Sequence, residues 1–405
     1  MFITTRNVKR FMIALSSVFV LSAGVSIVQA GVPWQEVGKI AASDGSAHAG
    51  FGHSMAMSGK FILVGARTEG SNGVDAGAVY LFDAASGMEV LKLTASDGEN
   101  GDTFGGSVDI DGDLAIVGAP GDSNENGFKS GAAYIFDITT GEELIKLIAE
   151  DGQDLDFFGT SVAISGNLAV VGANFADGHV VDSGAVYVFD LTTGAQIFKL
   201  FSPTGRKSDN FGEVVVIDGS HLIIGAIGDN DRGKRAGAVY IFDVNTGEQQ
   251  HKVFASDAGA YSVFGDSIAV DGQYAVIGSS GDGDNGMLSG SAYVFDVTTG
   301  EQLYKLLPSD GEELEFFGSS VAIDGQFAVI GSEFSTCVGM RTGAAYIYDV
   351  TTGEQVNKLL ASDCHENDLF GTSLLIKRDV VLAGASGSDP LGADSGAVFV
   401  YKRAR

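Results

Sequence analysis

The chain of 405 residues carries 52 acidic against 24 basic side chains, a net charge of −28, with 58 glycines and only 5 prolines. That charge repels nucleic acid and anionic membranes, so neither is expected as a partner; it favours cations, basic partners or plain solubility. Hydrophobic residues make up 45% of the sequence, ample for a core.

The first thirty residues stand apart. Arg6, Lys9 and Arg10 precede an apolar run from Phe11 to Val28, and Val28-Gln29-Ala30 offers small residues for cleavage. This is the layout of a secretory signal peptide cut near Ala30. A retained anchor is the alternative, since 18 apolar residues are borderline for spanning a bilayer. The remaining chain, residues 31–405, is expected to be a secreted, periplasmic or cell-surface monomer with no membrane insertion of its own.

From residue 40 onward one phrase repeats. A Phe-Gly pair recurs at Phe51, Phe104, Phe158, Phe211, Phe264, Phe317 and Phe370, in steps of 53, 54, 53, 53, 53 and 53 residues. A unit of this size cannot bury its own apolar faces and must stack on its neighbours. The third copy shows four strand-like runs, Thr160–Ile164, Leu168–Gly172, Ala185–Phe189 and Gln196–Leu200, here termed A to D. No window of helical length has a 3.6-residue apolar period, so the chain reads as all-β.

The joints are informative. A and B are linked by tight turns such as Asp111-Gly112-Asp113 and Ser165-Gly166-Asn167, where glycine supplies the positive φ of a short hairpin. C and D are linked by Asp137-Ile138-Thr139-Thr140-Gly141 and its copies at Asp296 and Asp349, with the aspartate expected to hold the turn. In strand C, Tyr187 and Phe189 share one face, Val186 and Val188 the other, so the strand is covered on both sides. Strand A is built of small residues, Gly159, Ser161 and Ala163, which suits the innermost strand of sheets converging on an axis. The seventh copy offers A, B and C runs up to Tyr401, and Gln35–Ile40 aligns with a D strand. That segment is expected to complete the last blade and close a ring of seven.

The Phe-Gly opening, Gly118-Ala119-Pro120 at the end of strand B and the Gly-Ala-Val-Tyr strand resemble the FG-GAP repeat, which builds the seven-bladed β-propeller of integrin α-subunits and of many bacterial secreted proteins. The resemblance covers residues 31–405 and implies a seven-bladed β-propeller with four antiparallel strands per blade. Integrin-type calcium loops lie between strands A and B. Here that joint is a turn of two or three residues, too short to wrap an ion needing six to eight oxygens, and calcium binding of that type is not carried over.

In such blades the B–C and D–A joints share one face, and that face varies between copies. Loops on a rigid scaffold are where function concentrates. Three B–C loops are acidic and glycine-rich, and their candidate binding residues are Asp122, Asn124, Asn126, Asp229, Asp231, Asp282 and Asp284. Asp122 to Gly127 matches the first half of an EF-hand loop but has no acidic residue at position twelve. Weak calcium binding or sugar contact is one reading and solvated turns the other; no cofactor and no resident metal are expected. Acidic pairs in the D–A joints, Asp154 with Asp156 and Glu313 with Glu315, read as surface or structural groups. The six histidines are scattered and form no ligand pair. Cys337 and Cys364 fall in joints of the same face, and a disulfide between them is expected. The sequence thus points to a non-enzymatic binding or adhesion propeller for an extracellular protein or glycan. The alternative is a carbohydrate-active hydrolase or lyase with its site at the central axis.

Overall fold

The computed structural model describes residues 33–337 and 340–404. The expected leader, residues 1–30, lies outside the described residues. Seven four-stranded antiparallel sheets follow one another, and no helix occurs among the described residues. In blade 3 the strands are Ser161–Ser165, Leu168–Ala173, Ala185–Asp190 and Ala195–Leu200, within two residues of the expected runs. Each strand A lies against strand A of the next blade, from blade 1 round to blade 7 and back. The small residues therefore sit where the sheets converge. The segment Trp34–Ile40 pairs antiparallel with Ala397–Arg403, Trp34 opposite Arg403 and Ile40 opposite Val398, and supplies the outermost strand of blade 7.

The repeated motif is the joint between blades. Phe104 is buried, its ring edge-on to Tyr134 at 5.6 Å and to Phe136 at 5.8 Å within its own blade. Val79 and Leu81 of blade 1 pack against that aromatic face, and full burial of side chains this size contributes about 1.5–3 kcal/mol each. The glycines explain themselves at one junction. Gly159 has φ 95°, and a Cβ there would strike the Ala132 carbonyl oxygen of the preceding blade. Gly118, at the end of strand B, presses its Cα on the Gly159 backbone and leaves no room for a side chain. Gly131, opening strand C, bridges to Phe158. Thus the Phe-Gly of one blade docks on both glycines of the blade before it.

Hydrogen bonds stitch the inner strands together. Ser54, Ser267, Ser320 and Ser373 donate to the glycine carbonyl of the next blade's Phe-Gly pair at 2.5–2.8 Å. The aspartates of the A–B turns also reach across: Asp111 accepts from Gly166 N and Asp218 from Gly272 N, both at 2.7 Å. The C–D aspartates hold their own turns, Asp137 accepting from Thr139 N at 2.7 Å and from Thr140 N at 3.2 Å. Each outermost strand carries a register shift near its middle. A bulge of this kind spoils an edge as a template for pairing with another chain. Blade 6 adds a short ribbon within its B–C loop, Thr336–Cys337 paired with Met340–Arg341, where the sequence suggested only loop.

Candidate functional site

The candidate loop acids Asp122, Asp229, Asp231, Asp282 and Asp284 are already paired from within. Asp122 is buried; its Oδ2 accepts from Tyr134 Oη at 2.9 Å and from Lys146 Nζ at 2.8 Å. Its Oδ1 accepts from Asn124 Nδ2 at 2.8 Å, while Asn126 Nδ2 donates to Ala149 O at 2.6 Å and ties the loop to the next joint. In blade 4, Lys252 Nζ lies 2.8 Å from Asp229 and 2.6 Å from Asp231. In blade 5, Lys305 Nζ lies 2.6 Å from Asp257, 3.0 Å from Asp282 and 2.7 Å from Asp284. One oxygen from each of those three aspartates lies within 4.8 Å of the others, the layout of a small cation site, and the Lys305 ammonium contacts all three. Burial opposes the Lys305 charge, but the three carboxylate contacts outweigh it and its pKa is pushed up to about 12. Burial, then the charge of Asp122, raises the Tyr134 phenol well above its usual range, so it stays a donor.

The sequence reading singled out the acids and missed what pairs with them. The signal was present: Lys92, Lys146, Lys199, Lys252, Lys305 and Lys358 recur with the repeat in strand D, as do Tyr80, Tyr134, Tyr187, Tyr240, Tyr293 and Tyr346 in strand C. Each of these lysines meets the aspartate of a D–A joint or a B–C loop acid.

The D–A acids serve as structural acceptors, Asp156 and Glu315 within their own joints and Asp154 for the neighbouring B–C loop. Asp156 is buried and accepts from Gln153 N at 2.8 Å, and burial pushes its carboxyl up to about 6. Glu315 accepts from Glu312 N at 3.0 Å in the same position, and Asp154 accepts from Phe128 N at 2.8 Å. Cys364 is disulfide-bonded; the side chain of Cys337 lies outside the described residues. At the inner edge of the variable face three further carboxylates are held by neutral partners. Glu213 accepts from Asn174 Nδ2 at 2.7 Å, Glu333 from Thr372 Oγ1 at 3.4 Å, and Asp266 from Ser280 N at 3.0 Å. Burial raises the pKa of all three, that of Asp266 to about 7.

A different pattern on this face escaped sequence reasoning. Three residues before the glycine that opens strand C, blades 1, 2, 3 and 5 place Val74, Phe128, Val181 and Met287, which are 69, 60, 60 and 64% exposed. Blade 4 places Lys234 there, its ammonium 5.2 Å from the centre of the Tyr261 ring. The adjoining D–A joints add Leu155 and Tyr261, both exposed and with backbone N–H groups bonded to Phe128 O and Lys234 O. The result is a crown of apolar side chains around the face with variable loops. Single exposed apolar residues are ordinary, but the same exposed position filled in four blades is not.

Fold and loops together define a seven-bladed β-propeller with one uniform and one variable face. The chain belongs to the FG-GAP repeat family, whose model matches residues 34–82, 88–136, 142–189, 195–242, 248–295, 301–348 and 354–401. Each match runs from strand D of one blade through strand C of the next. No curated protein matches the chain.

Proposed function

We propose that this propeller is a non-enzymatic binding module that engages an extracellular protein through the face carrying the B–C and D–A joints. The crown of Val74, Phe128, Val181 and Met287 carries the reading. Phenylalanine and methionine, as at Phe128 and Met287, are enriched in the cores of protein interfaces, whereas a glycan prefers flat aromatic platforms. The loops beneath are fixed by lysine–carboxylate contacts, so the crown is presented without a large ordering cost. The leader-like sequence at residues 1–30 supports an extracellular setting.

The test is affinity capture of cell-surface protein by the wild type, by the combined variant V74S/F128S/V181S/M287S, and by M88S. Met88 is 67% exposed in a C–D turn of the opposite face. A partner retained by wild type and M88S but lost by the fourfold variant supports the reading. Equal capture by all three, or retention only on a glycan array, overturns it.

A further inference from the structure

The blades are near-copies, so departures that gather in one place carry information. Blade 1 departs three times. His53 follows its Phe-Gly pair where the other blades have Gly106, Thr160, Glu213, Asp266, Ser319 and Thr372. Arg67 follows its strand B, and no other blade has a basic residue at that point. His48 lies three residues before its phenylalanine, a position that is histidine in no other copy. All three line one cavity of about 300 Å³ between blades 7 and 1 on the variable face, together with Thr68, Asp75 and Asp394. The sequence suggested scattered histidines; the fold brings two of the six together beside an arginine.

The charges in this cleft are arranged unusually for so acidic a chain. Arg67 forms no ion pair among the described residues. Asp394, in the same wall, pairs instead with His48 Nδ1 at 2.9 Å, and Thr68 Oγ1 is fixed on His48 O at 2.6 Å. Burial, and then the Arg67 charge, lowers the His53 pKa to about 4, so its imidazole is neutral near pH 7 and can both donate and accept. An exposed guanidinium with an unused planar fork is built for a carboxylate or phosphate. Two aspartates in the same wall disfavour a dianion by like-charge repulsion, and together with Thr68 and His53 they offer acceptors for hydroxyl groups.

We propose that this cleft binds a sugar acid, with Arg67 holding the carboxylate and Asp75, Thr68 and His53 receiving the ring hydroxyls. The cavity volume is at the lower end of small-molecule sites and matches one or two sugar rings. An acidic peptide side chain would satisfy Arg67 but leave the hydroxyl acceptors idle. The site is independent of the apolar crown, whose substituted positions do not line it.

The test is titration of the full chain with D-glucuronate, glucose, acetate and inorganic sulfate, followed by saturation-transfer NMR or calorimetry. Glucuronate should bind at least about tenfold more tightly than any of the other three. Arg67→Gln should weaken it by about tenfold or more, and Arg67→Lys by less, because lysine keeps the charge without the fork. The fourfold crown variant should bind glucuronate as wild type does. Arg67 is exposed, so an unchanged melting temperature verifies the fold of its variants. Glucuronate binding no tighter than acetate or sulfate, or indifferent to Arg67→Gln, overturns the proposal.

Discussion

Lys305 is the most heavily engaged of the strand-D lysines, and Lys305→Met isolates what its charge does. Methionine keeps the unbranched stem and removes the ammonium. Asp257, Asp282 and Asp284 are then left facing one another, with Tyr293 Oη donating to the first two at 2.9 and 2.8 Å and Asp284 N to Asp282 at 3.1 Å. Removing one partner of a buried ion pair costs about 3–5 kcal/mol, whereas an exposed pair is worth about 0–1 kcal/mol. Here the Asp282 side chain is 9% exposed, but those of Asp257 and Asp284 are 43 and 46% exposed. An intermediate loss of about 2–3 kcal/mol follows, read by urea unfolding at pH 7. Calcium should restore part of it in the variant, because the vacated carboxylates lie close enough to share an ion. At a hundredfold excess over Kd the gain is about 2.7 kcal/mol. The gap between wild type and variant should also depend on pH. The folded pKa of Lys305 is raised from 10.5 to about 12, so its contribution is complete below 10.5 and fades as pH climbs through 12. A variant within about 0.5 kcal/mol of wild type, or calcium stabilising both proteins equally, would refute the reasoning.

Asp266 titrates in the same sense at lower pH. Burial raises its folded pKa from 3.8 to about 7, so the folded state holds a proton that the unfolded chain releases, and stability falls as pH rises across that window. Asp266→Asn should match wild type near pH 4 and exceed it by about 2–4 kcal/mol at pH 8; a gap independent of pH in thermal melts contradicts this. Peptide mapping without reductant should recover Cys364 linked to Cys337, the only other cysteine. Recovery of two free thiols would contradict that pairing.

The ring was legible because its determinants are periodic and local. Phe104, Gly118 and Gly131 each recur with the repeat, and a strand that is apolar on both faces, as around Tyr187, has few places to go other than between two sheets. Closure was legible because Gln35–Ile40 looks like Glu142–Leu147. The sites were harder for a physical reason. Asp122 and Lys146 are 24 residues apart, and sequence shows a carboxylate without showing what neutralises it across two joints. Lys146 lies in an outermost strand, and its ammonium reaches over Tyr134 to the loop, 5.2 Å from the ring centre. The crown was not legible because an apolar residue in a loop gives no sign of its exposure; only the fixed distance to the following glycine links Val74, Phe128, Val181 and Met287. His53 and Arg67 meet across the first hairpin, where Phe51 pairs with Ala66, and Thr68 holds His48 beside them, but the wall carrying Asp394 is supplied only when the ring closes.

The pairing of Trp34 with Arg403 is followed by one more contact, Ala404 N to Pro33 O at 2.9 Å. The two described ends of the chain are therefore adjacent main-chain neighbours in one sheet. A peptide linker of a few residues could splice them, and the chain could be reopened at an exposed A–B turn, such as that between Ser165 and Leu168, at the cost of surface hydrogen bonds such as Gly166 N to Asp111. In that sense blade 7 holds its place by geometry rather than by order of synthesis: the molecule is a circle that happens to be written as a line.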